Sequence, residues 1–463
     1  MSKTVSPIGQ RLDRLPPGKL HVRLLFLVGA GMFFDGFDIY LAAGVLGALV
    51  REGISDVATN AWFISATFAG MTLGAWLAGI LGDRFGRRFS YQFNLAIFGL
   101  ASLASAFAPS IDWLIAFRFL MGLGLGAEIV IGYGTLTEFM PPQVRGRYGA
   151  LLNVFTNSAL FVATFGGFLI IPYLGWRWMF GIAGVGAAII WALRKNMYES
   201  PRWLESKGRL VEADRLMGQI EAEAGVTSPA SNIRTDAPAT AVIKVPLRSL
   251  FKGRLLPRTF TGMVINVINN LITHGFITWM PTFFIAEGLT VTKSLAFTAV
   301  MTLGAPVGSL TGYLLTERLG RKNGTVIFSL VALVIGLIYP HVSSPIAVMA
   351  TGFCLVACIF ILGALSIACY VPELFPTEIR LRGVGLCSTT GRLANVGIPF
   401  LIAFLYTRGG VTGVLALISA GLLVQAIVVW IFGAETRGLA LEDVNAPPEL
   451  PLSDIIAAAP IRS

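Results

Sequence analysis

Long apolar runs broken by short polar connections dominate this chain, a pattern of helices crossing a bilayer rather than of amphipathic elements around a core. About 20 consecutive apolar residues make one crossing. About twelve such runs appear, near 22–44, 62–82, 90–108, 113–137, 149–171, 174–194, 259–284, 295–316, 323–340, 345–371, 383–406 and 411–433. The glycines and prolines inside them are compatible with spanning helices, because neighbouring helices re-satisfy the backbone groups they free. The leading MSKTVSPIGQRLDRLPPGK is basic and polar, so no cleavable signal peptide is expected.

Composition changes the picture little: 55% hydrophobic and only 13% charged residues, with mean hydropathy +0.74, exclude an ordinary soluble domain. The net charge of +10 raises nucleic-acid binding, but its placement argues for membrane topology. Lys and Arg concentrate in alternate connections: Arg84, Arg87 and Arg88; Arg145 and Arg147; Arg318, Arg321 and Lys322; Arg380 and Arg382. The N-terminal and middle segments are basic too, whereas the intervening loops hold only Arg51, Arg177, Lys293 and Arg408. The positive-inside rule then puts both termini and the central segment in the cytoplasm. The partner implied is the lipid bilayer of an inner cell membrane, not a nucleic acid. Cys354, Cys358, Cys369 and Cys387 fall in the tenth and eleventh runs and read as small packing residues.

The chain repeats itself at an offset of roughly 235 residues, the internal symmetry of many transporters. Gly-Asp83-Arg84-Phe85-Gly86-Arg87-Arg88 follows the second run, and Thr-Glu317-Arg318-Leu319-Gly320-Arg321-Lys322 follows the eighth. Glu138-Phe-Met-Pro141 with Arg145 follows the fourth, and Glu373-Leu-Phe-Pro376 with Arg380 follows the tenth. Glu199-Ser-Pro-Arg202 is echoed by Glu435-Thr-Arg437-Gly438. The organisation expected is a cytoplasmic segment 1–21, a six-helix bundle 22–194, a cytoplasmic linker 195–258, a second bundle 259–433 and a cytoplasmic tail 434–463. Within the linker, Leu210, Ala213, Leu216, Met217 and Ile220 predict an amphipathic helix over 209–224, and Leu247, Leu250, Phe251 and Leu255 a second one. TSPASNIRTDAPAT between them reads as a flexible linker.

These landmarks resemble the major facilitator superfamily, whose most widespread signature GILGDRFGRR is similar to. The resemblance implies an all-α membrane protein with twelve transmembrane helices in two pseudo-symmetric bundles, and a charged gate at their cytoplasmic ends. Gly79, Asp83, Arg84, Gly86 and Arg87 would form that gate with Glu138 and Arg145, and Glu317, Arg318, Gly320 and Arg321 with Glu373 and Arg380, in the second half. Asp83 is suited to capping a helix N-terminus and pairing with Arg87, and Gly79 and Gly86 to close approach and a tight turn. YESPRWL, PELFPTEIR and AETRGLALE resemble signatures of sugar porters and of the related organic-ion, niacin and aromatic-acid transporters. Asp35-Gly36-Phe37-Asp38 resembles the D-G-x-D motif of aromatic acid:proton symporters, although Gly36-Phe37-Asp38 also matches the sugar porters' G-Y-D. Asn269-Asn270 stands where sugar porters carry a Gln-Gln pair, a departure from the sugar pattern. Gly391-Arg392-Leu393 resembles the aromatic-acid group's arginine, a natural partner for a substrate carboxylate.

Charges inside apolar runs carry the candidate chemistry, because they are expensive there. Asp35 and Asp38 lie one turn apart about a dozen residues inside the first run, too deep for a short side chain to reach the interface. At about 1.5 Å per residue they sit about 20–24 Å from the cytoplasmic side, and Arg118 about 8 Å below the outer surface, so the levels coincide. The reading is a protonatable pair that exchanges Arg118 for a proton; the plain alternative is a static salt bridge. Two carboxylates this close titrate as a coupled pair. Glu128, in the glycine-rich MGLGLGAEIVIGYG, is either a second proton site or a neutral, hydrogen-bonded interior group. Arg392 sits about 14 Å into the eleventh run, near the midplane, as a carboxylate-binding fork or as a partner for Glu128. Asn395 follows it by one turn. Asn266, Asn270 and His274 recur at helical spacing on the seventh run, flanked by Asn269, and line either a packed neighbour or a water-filled cavity. Trp279 either stacks on a planar substrate or belongs to an interfacial belt.

The expectation is a proton-coupled symporter importing a small organic carboxylate, aromatic or heteroaromatic such as a benzoate or nicotinate, by alternating access. It needs no cofactor beyond the coupling proton, and a monomer is the default. Rival readings are a sugar or polyol symporter, a metabolite or drug exporter, and a non-transporting receptor. No metal cluster, nucleophile with base or phosphate loop appears in the sequence, so an enzyme is not expected.

Overall fold

Every regular element in the computed structural model is a helix among the described residues, 7–195, 197–226, 247–375 and 379–435. The first six spans are Lys19–Arg51, Val57–Phe85, Arg87–Ala106, Ile111–Phe139, Pro142–Leu174 and Arg177–Arg194. The first, second, fourth and fifth overrun their apolar runs at both ends, because a helix continues past the hydrocarbon until a cap or glycine stops it; the third stops at Ala106, and the sixth lies within its run. The spans of the second half are less regular. The seventh is Leu255–Ile272, then a wide π-turn Thr273–Ile277, then Met280–Ala286. The eighth is Val291–Thr302 followed by Gly304–Leu319, and the ninth is Arg321–Ile338. The tenth joins Pro345–Gly363 to a second π-turn, Ala364–Tyr370. The eleventh and twelfth run from Arg380 to Phe432 and reverse at Gly410, whose φ of 59° a side chain rarely adopts.

Small residues explain why the spans pack closely. A Cβ on Gly70 would lie 2.2 Å from the Phe119 carbonyl oxygen, and one on Gly126 2.0 Å from that of Met71, so the second and fourth spans touch backbone to backbone. The eighth and tenth repeat this, with Gly304 and Gly308 against the carbonyls of Phe353 and Ala357 at 2.5 and 2.3 Å. Lipid-facing helices gain little from hydrophobic burial against each other, so close van der Waals approach through small residues holds them. Apolar side chains such as Trp76, Leu100, Trp113 and Trp430 point outwards, more than half exposed, as lipid contact requires.

An even number of spans brings both ends of the chain to one face, called here the terminal face. Ile8 and Leu12 of the short helix Pro7–Arg14, with Leu15 just after it, are buried in one cluster with Ala213, Met217 and Ile220 of the helix Leu210–Glu223, the element the 209–224 pattern predicts. Arg11 forks onto Glu221 at 2.8 and 2.6 Å and reaches Asp214. The second predicted surface helix is only the single turn Leu247–Phe251. The linker sequence 227–240 and the tail beyond 435 lie outside the described residues.

Candidate functional site

The two halves repeat one charged arrangement at the terminal face, at the junction of the second and third spans and at that of the eighth and ninth. Gly86 and Gly320 each form a one-residue turn between two spans, with φ of 95° and 79°. The helix that follows each is capped by a distant carboxylate. Glu199 accepts from the amides of Arg87 at 2.8 Å and Arg88 at 3.3 Å; Glu435 accepts from those of Arg321 at 3.1 Å and Asn323 at 3.4 Å. At the third span the cap is Glu199, because the turn at Gly86 aims the free amides towards the 199–202 segment. Burial pushes the Glu199 carboxyl up from its ordinary range, against the pull of the Ser200, Arg87 and Arg88 amides. Arg87 pairs with Glu138 at 2.7 Å, and Arg321 lies 3.2 Å from Glu373. Arg202 ties Asp13 (2.7 Å) to the Glu138 carbonyl (3.0 Å). Arg84 and Arg318 are exposed, and Arg380 donates to the Phe375 carbonyl at 3.3 Å. The predicted Gly79, Asp83, Arg145 and Glu317 lie on helices, but their surroundings fall outside what the structure describes.

Deeper in the N-terminal half lie two buried ion pairs. Arg118 and Asp38, 1% and 0% exposed, meet at 2.6 Å. Arg118 also donates from Nε to Thr67 at 2.9 Å and lies over the Phe63 ring, 4.9 Å from its centroid. The second pair is Arg194 with Glu128, both 1% exposed. Arg194 further donates to the carbonyls of Leu27 at 2.9 and 2.8 Å and of Val28 at 3.1 Å, and covers the Tyr91 ring at 4.6 Å. Gly31 makes the room: a Cβ there would sit 1.9 Å from Arg194 Nη2 and 2.5 Å from Glu128 Oε1. Glu128 therefore does not pair with Arg392. Asp35 lies between the two pairs, buried, with neither carboxylate oxygen hydrogen-bonded among the described residues.

Arg194 was missed in the sequence because it ends an apolar run, where a basic residue reads as an interfacial anchor. Its long side chain instead turns back into the bundle. The signal that could have found it is Glu128 itself, a buried carboxylate that needs a cation.

The C-terminal half carries fewer charges. Arg392, half-buried on the eleventh span, makes no hydrogen bond or ion pair among the described residues. Four and eight residues on, the Val396 carbonyl accepts from Ser65 at 2.7 Å and Phe400 meets Trp62 edge-on at 4.8 Å. Arg392 thus continues, one turn towards the terminal face, the stripe that meets the N-terminal half. Asn395 donates to Asn270 at 2.7 Å while its own Oδ1 stays unpartnered, and Gly391 leaves space for Asn270, whose Nδ2 a Cβ would approach to 2.7 Å.

Two expected site residues point elsewhere. Asn269 faces its own bundle, donating to Ser366 at 3.3 Å and Gln425 at 3.4 Å. Trp279 is fully buried and stacks on Phe283, 6.1 Å between centroids, so it neither reaches an interfacial belt nor presents a free face. Asn266 spends its amide on the Gly262 carbonyl of its own helix at 2.9 Å. His274 crosses between halves: its ring packs edge-on against Phe68 at 4.7 Å and lies parallel to Tyr40 at 6.4 Å.

The two halves also touch through Thr164 and Thr302 at 2.7 Å and Asn157 and Ser309 at 3.2 Å. With Ser65–Val396 and Trp62–Phe400, these contacts form a seam concentrated towards the far face.

Comparison with known proteins places this geometry. A family model described as sugar (and other) transporter matches residues 25–447. The chain is 36% identical to the inner membrane metabolite transport protein YdjE of Escherichia coli, over 95% of this chain and 98% of that one. It is 34% identical to the niacin transporter NiaP of Acinetobacter baylyi, over 94% and 99%. Among solved structures it superposes on a D-xylose-proton symporter with TM-score 0.72 at 16% identity, covering 90% of this chain and 99% of the other.

Proposed function

Since this chain belongs to the sugar (and other) transporter family, a multi-pass membrane transporter of small molecules with the major facilitator fold, we propose that it is a proton symporter importing a small aromatic or heteroaromatic carboxylate. The observation that carries the reading is Arg392. A guanidinium deep in a membrane bundle normally finds a carboxylate, and Arg392 has none among the described residues. It stays charged when buried and offers a planar fork that matches a carboxylate. The nearby Asn395 leaves an amide oxygen free to accept from a ring N–H or hydroxyl. The printed function of a 34% identical relative, niacin transport, supports a heteroaromatic acid.

In the N-terminal half, protonation of Asp38 would break its ion pair with Arg118, and Asp35 is the adjacent unpaired carboxylate. The terminal face is cytoplasmic in this reading, in an inner membrane, and the protein works as a monomer without a cofactor. The cycle runs as alternating access. Opened on the far face, the transporter takes a proton at the Asp35–Asp38 pair and the acid at Arg392, then closes there and opens inwards. The test is uptake into proteoliposomes under an inward proton gradient, with labelled nicotinate and benzoate as probes and xylose as competitor. The reading expects gradient-driven accumulation, insensitivity to xylose, and loss of binding in Arg392→Ala. Competition by xylose with an active Arg392→Ala would replace it with the sugar reading.

A further inference from the structure

Between the two halves, Arg118 and His274 line one small, partly open void together with Thr67, Thr278, Phe68, Ile39, Ala42 and Ile64. Its volume is ≈ 10 Å³, about that of one water. His274 Nδ1 and Thr278 Oγ1 are buried there without hydrogen-bond partners among the described residues. Arg118 uses Nε for Thr67 and Nη1 for Asp38, leaving Nη2 without a bond. Three polar groups around a space of that size suit one bridging water. Orphaned buried polar atoms are costly, so their coincidence at one point calls for a role.

The backbone supports such a role. His274 lies in the π-turn Thr273–Ile277, a local widening that such helices tend to carry at functional positions. The turn projects the imidazole from the C-terminal half between Tyr40 of the first span and Phe68 of the second. This contact bridges the two halves in the form described here, whose far-face seam is shut.

We propose that His274 is the positioning residue through which the C-terminal half reads the protonation of Asp38, an inference that rests on the proton-coupled reading above. A proton from the far-face water adds to Asp38 Oδ2, and the hydrogen bond from Arg118 Nη1 to that oxygen breaks. Arg118, still charged, then donates to His274 Nδ1 through the bridging water; no proton moves onto the imidazole. Since His274 reaches Arg118 only in the shut form, protonation of Asp38 favours closure of the far face. The other ionisable groups on the elements packed here are Asp35 and Tyr40 on the first span, with Glu128 and Arg194 nearer the terminal face. The second span contributes only Thr67, Phe63, Phe68 and Ile64.

The test needs no substrate. A cysteine at the seam, Phe400→Cys, in a background with all four native cysteines replaced by alanine, is labelled with a maleimide in purified protein between about pH 5.5 and 8. Rates are normalised to the same cysteine in unfolded protein. A hydrogen bond from a charged donor corresponds to about tenfold or more in the open–shut equilibrium, so labelling should slow about tenfold as pH falls. His274→Phe keeps the ring contacts and should reduce that response to about twofold or less, while His274→Gln, which keeps an acceptor, should restore it. Asp38→Asn should label slowly at every pH, and adding His274→Phe to it should speed labelling again. Gel filtration and melting temperature separate loss of fold from loss of coupling. A wild-type pH response in His274→Phe, or an unchanged rate on adding it to Asp38→Asn, overturns the inference alone. A full response surviving in Asp38→Asn overturns the proton reading and the inference together.

Discussion

Removing the Arg194 guanidinium should cost more stability than removing it together with its partner. In Arg194→Met the methionine fills the volume, but Glu128, 1% exposed, loses its only cation. Breaking a buried pair from one side costs about 3–5 kcal/mol, because a charge is left uncompensated. The Leu27 and Val28 carbonyls that Arg194 touches belong to a helix and keep their helical bonds, so their loss adds little. In the double variant Arg194→Met, Glu128→Leu no charge remains, and apolar replacement of both partners is about neutral or stabilising. The cycle therefore predicts an interaction energy of at least about 3 kcal/mol, because each single change leaves a buried charge and the double leaves none. At about 2–4 °C per kcal/mol for a unit of this half's size, the single variant should melt on the order of ten degrees lower and the double should recover most of that. Melting followed by size exclusion in detergent measures all four proteins in one buffer. Additive effects of the two single changes would refute the claim that the pair is closed and dry.

Asp38→Asn should abolish proton-driven accumulation of labelled nicotinate while sparing its exchange across the same vesicles; concentrative uptake at the wild-type level would remove Asp38 from the coupling. Arg392→Ala should raise the half-saturating concentration of a carboxylate probe about tenfold to a hundredfold, the worth of a charge-assisted contact, and leave the melting temperature unchanged without ligand. Gly31→Ala should destabilise by about 1–3 kcal/mol from overpacking against Arg194 and Glu128, read as melting temperature. Asp56→Ala should cost about 1 kcal/mol, since Asp56 caps the second span by accepting from the Thr59 amide at 2.7 Å. Hydrogen bonds from Thr59 hold the Asp56 carboxyl below its usual range. The folded-state pKa being depressed, that stability is present above about pH 4 and lost as pH falls below it, so wild type and variant should converge in acid.

The twelve spans were legible because hydrocarbon thickness imposes one length on every crossing. The level of Asp38 and Arg118 was legible for a similar reason, since a fixed rise per residue turns sequence position into depth; the two meet in the structure. What depth cannot give is azimuth. Asn266, Asn269 and Asn270 look like one polar patch along the seventh span, yet Asn270 turns to Asn395 while Asn269 turns inwards to Gln425. Nor does the sequence reveal how far a long side chain travels: Arg194 reaches Leu27 and Glu128 from the end of its helix. The π-turn at Thr273–Ile277 was equally hidden, because one extra residue per turn leaves no mark in an apolar pattern.

The halves share one fold and one terminal-face charge arrangement, Arg87–Glu138 with Glu199 against Arg321–Glu373 with Glu435. Their interiors differ sharply. The first half buries two arginines with two carboxylates and a third, unpaired acid. Inside the second, Arg392 is the one buried-face cation without a partner among the described residues. A design in which proton and substrate shared one pocket would let either bind without the other's help. On the proposed reading, dividing the charges between bundles makes each binding event a local change in one half, so coupling must pass through contacts between them. Among the described residues, the second-half side chains that reach the Arg118 void are His274 and Thr278, and of the two only His274 is ionisable. Proton affinity and the far-face seam are then linked reciprocally: whatever holds the seam shut, including a carboxylate on Arg392, should make the proton on Asp38 harder to lose.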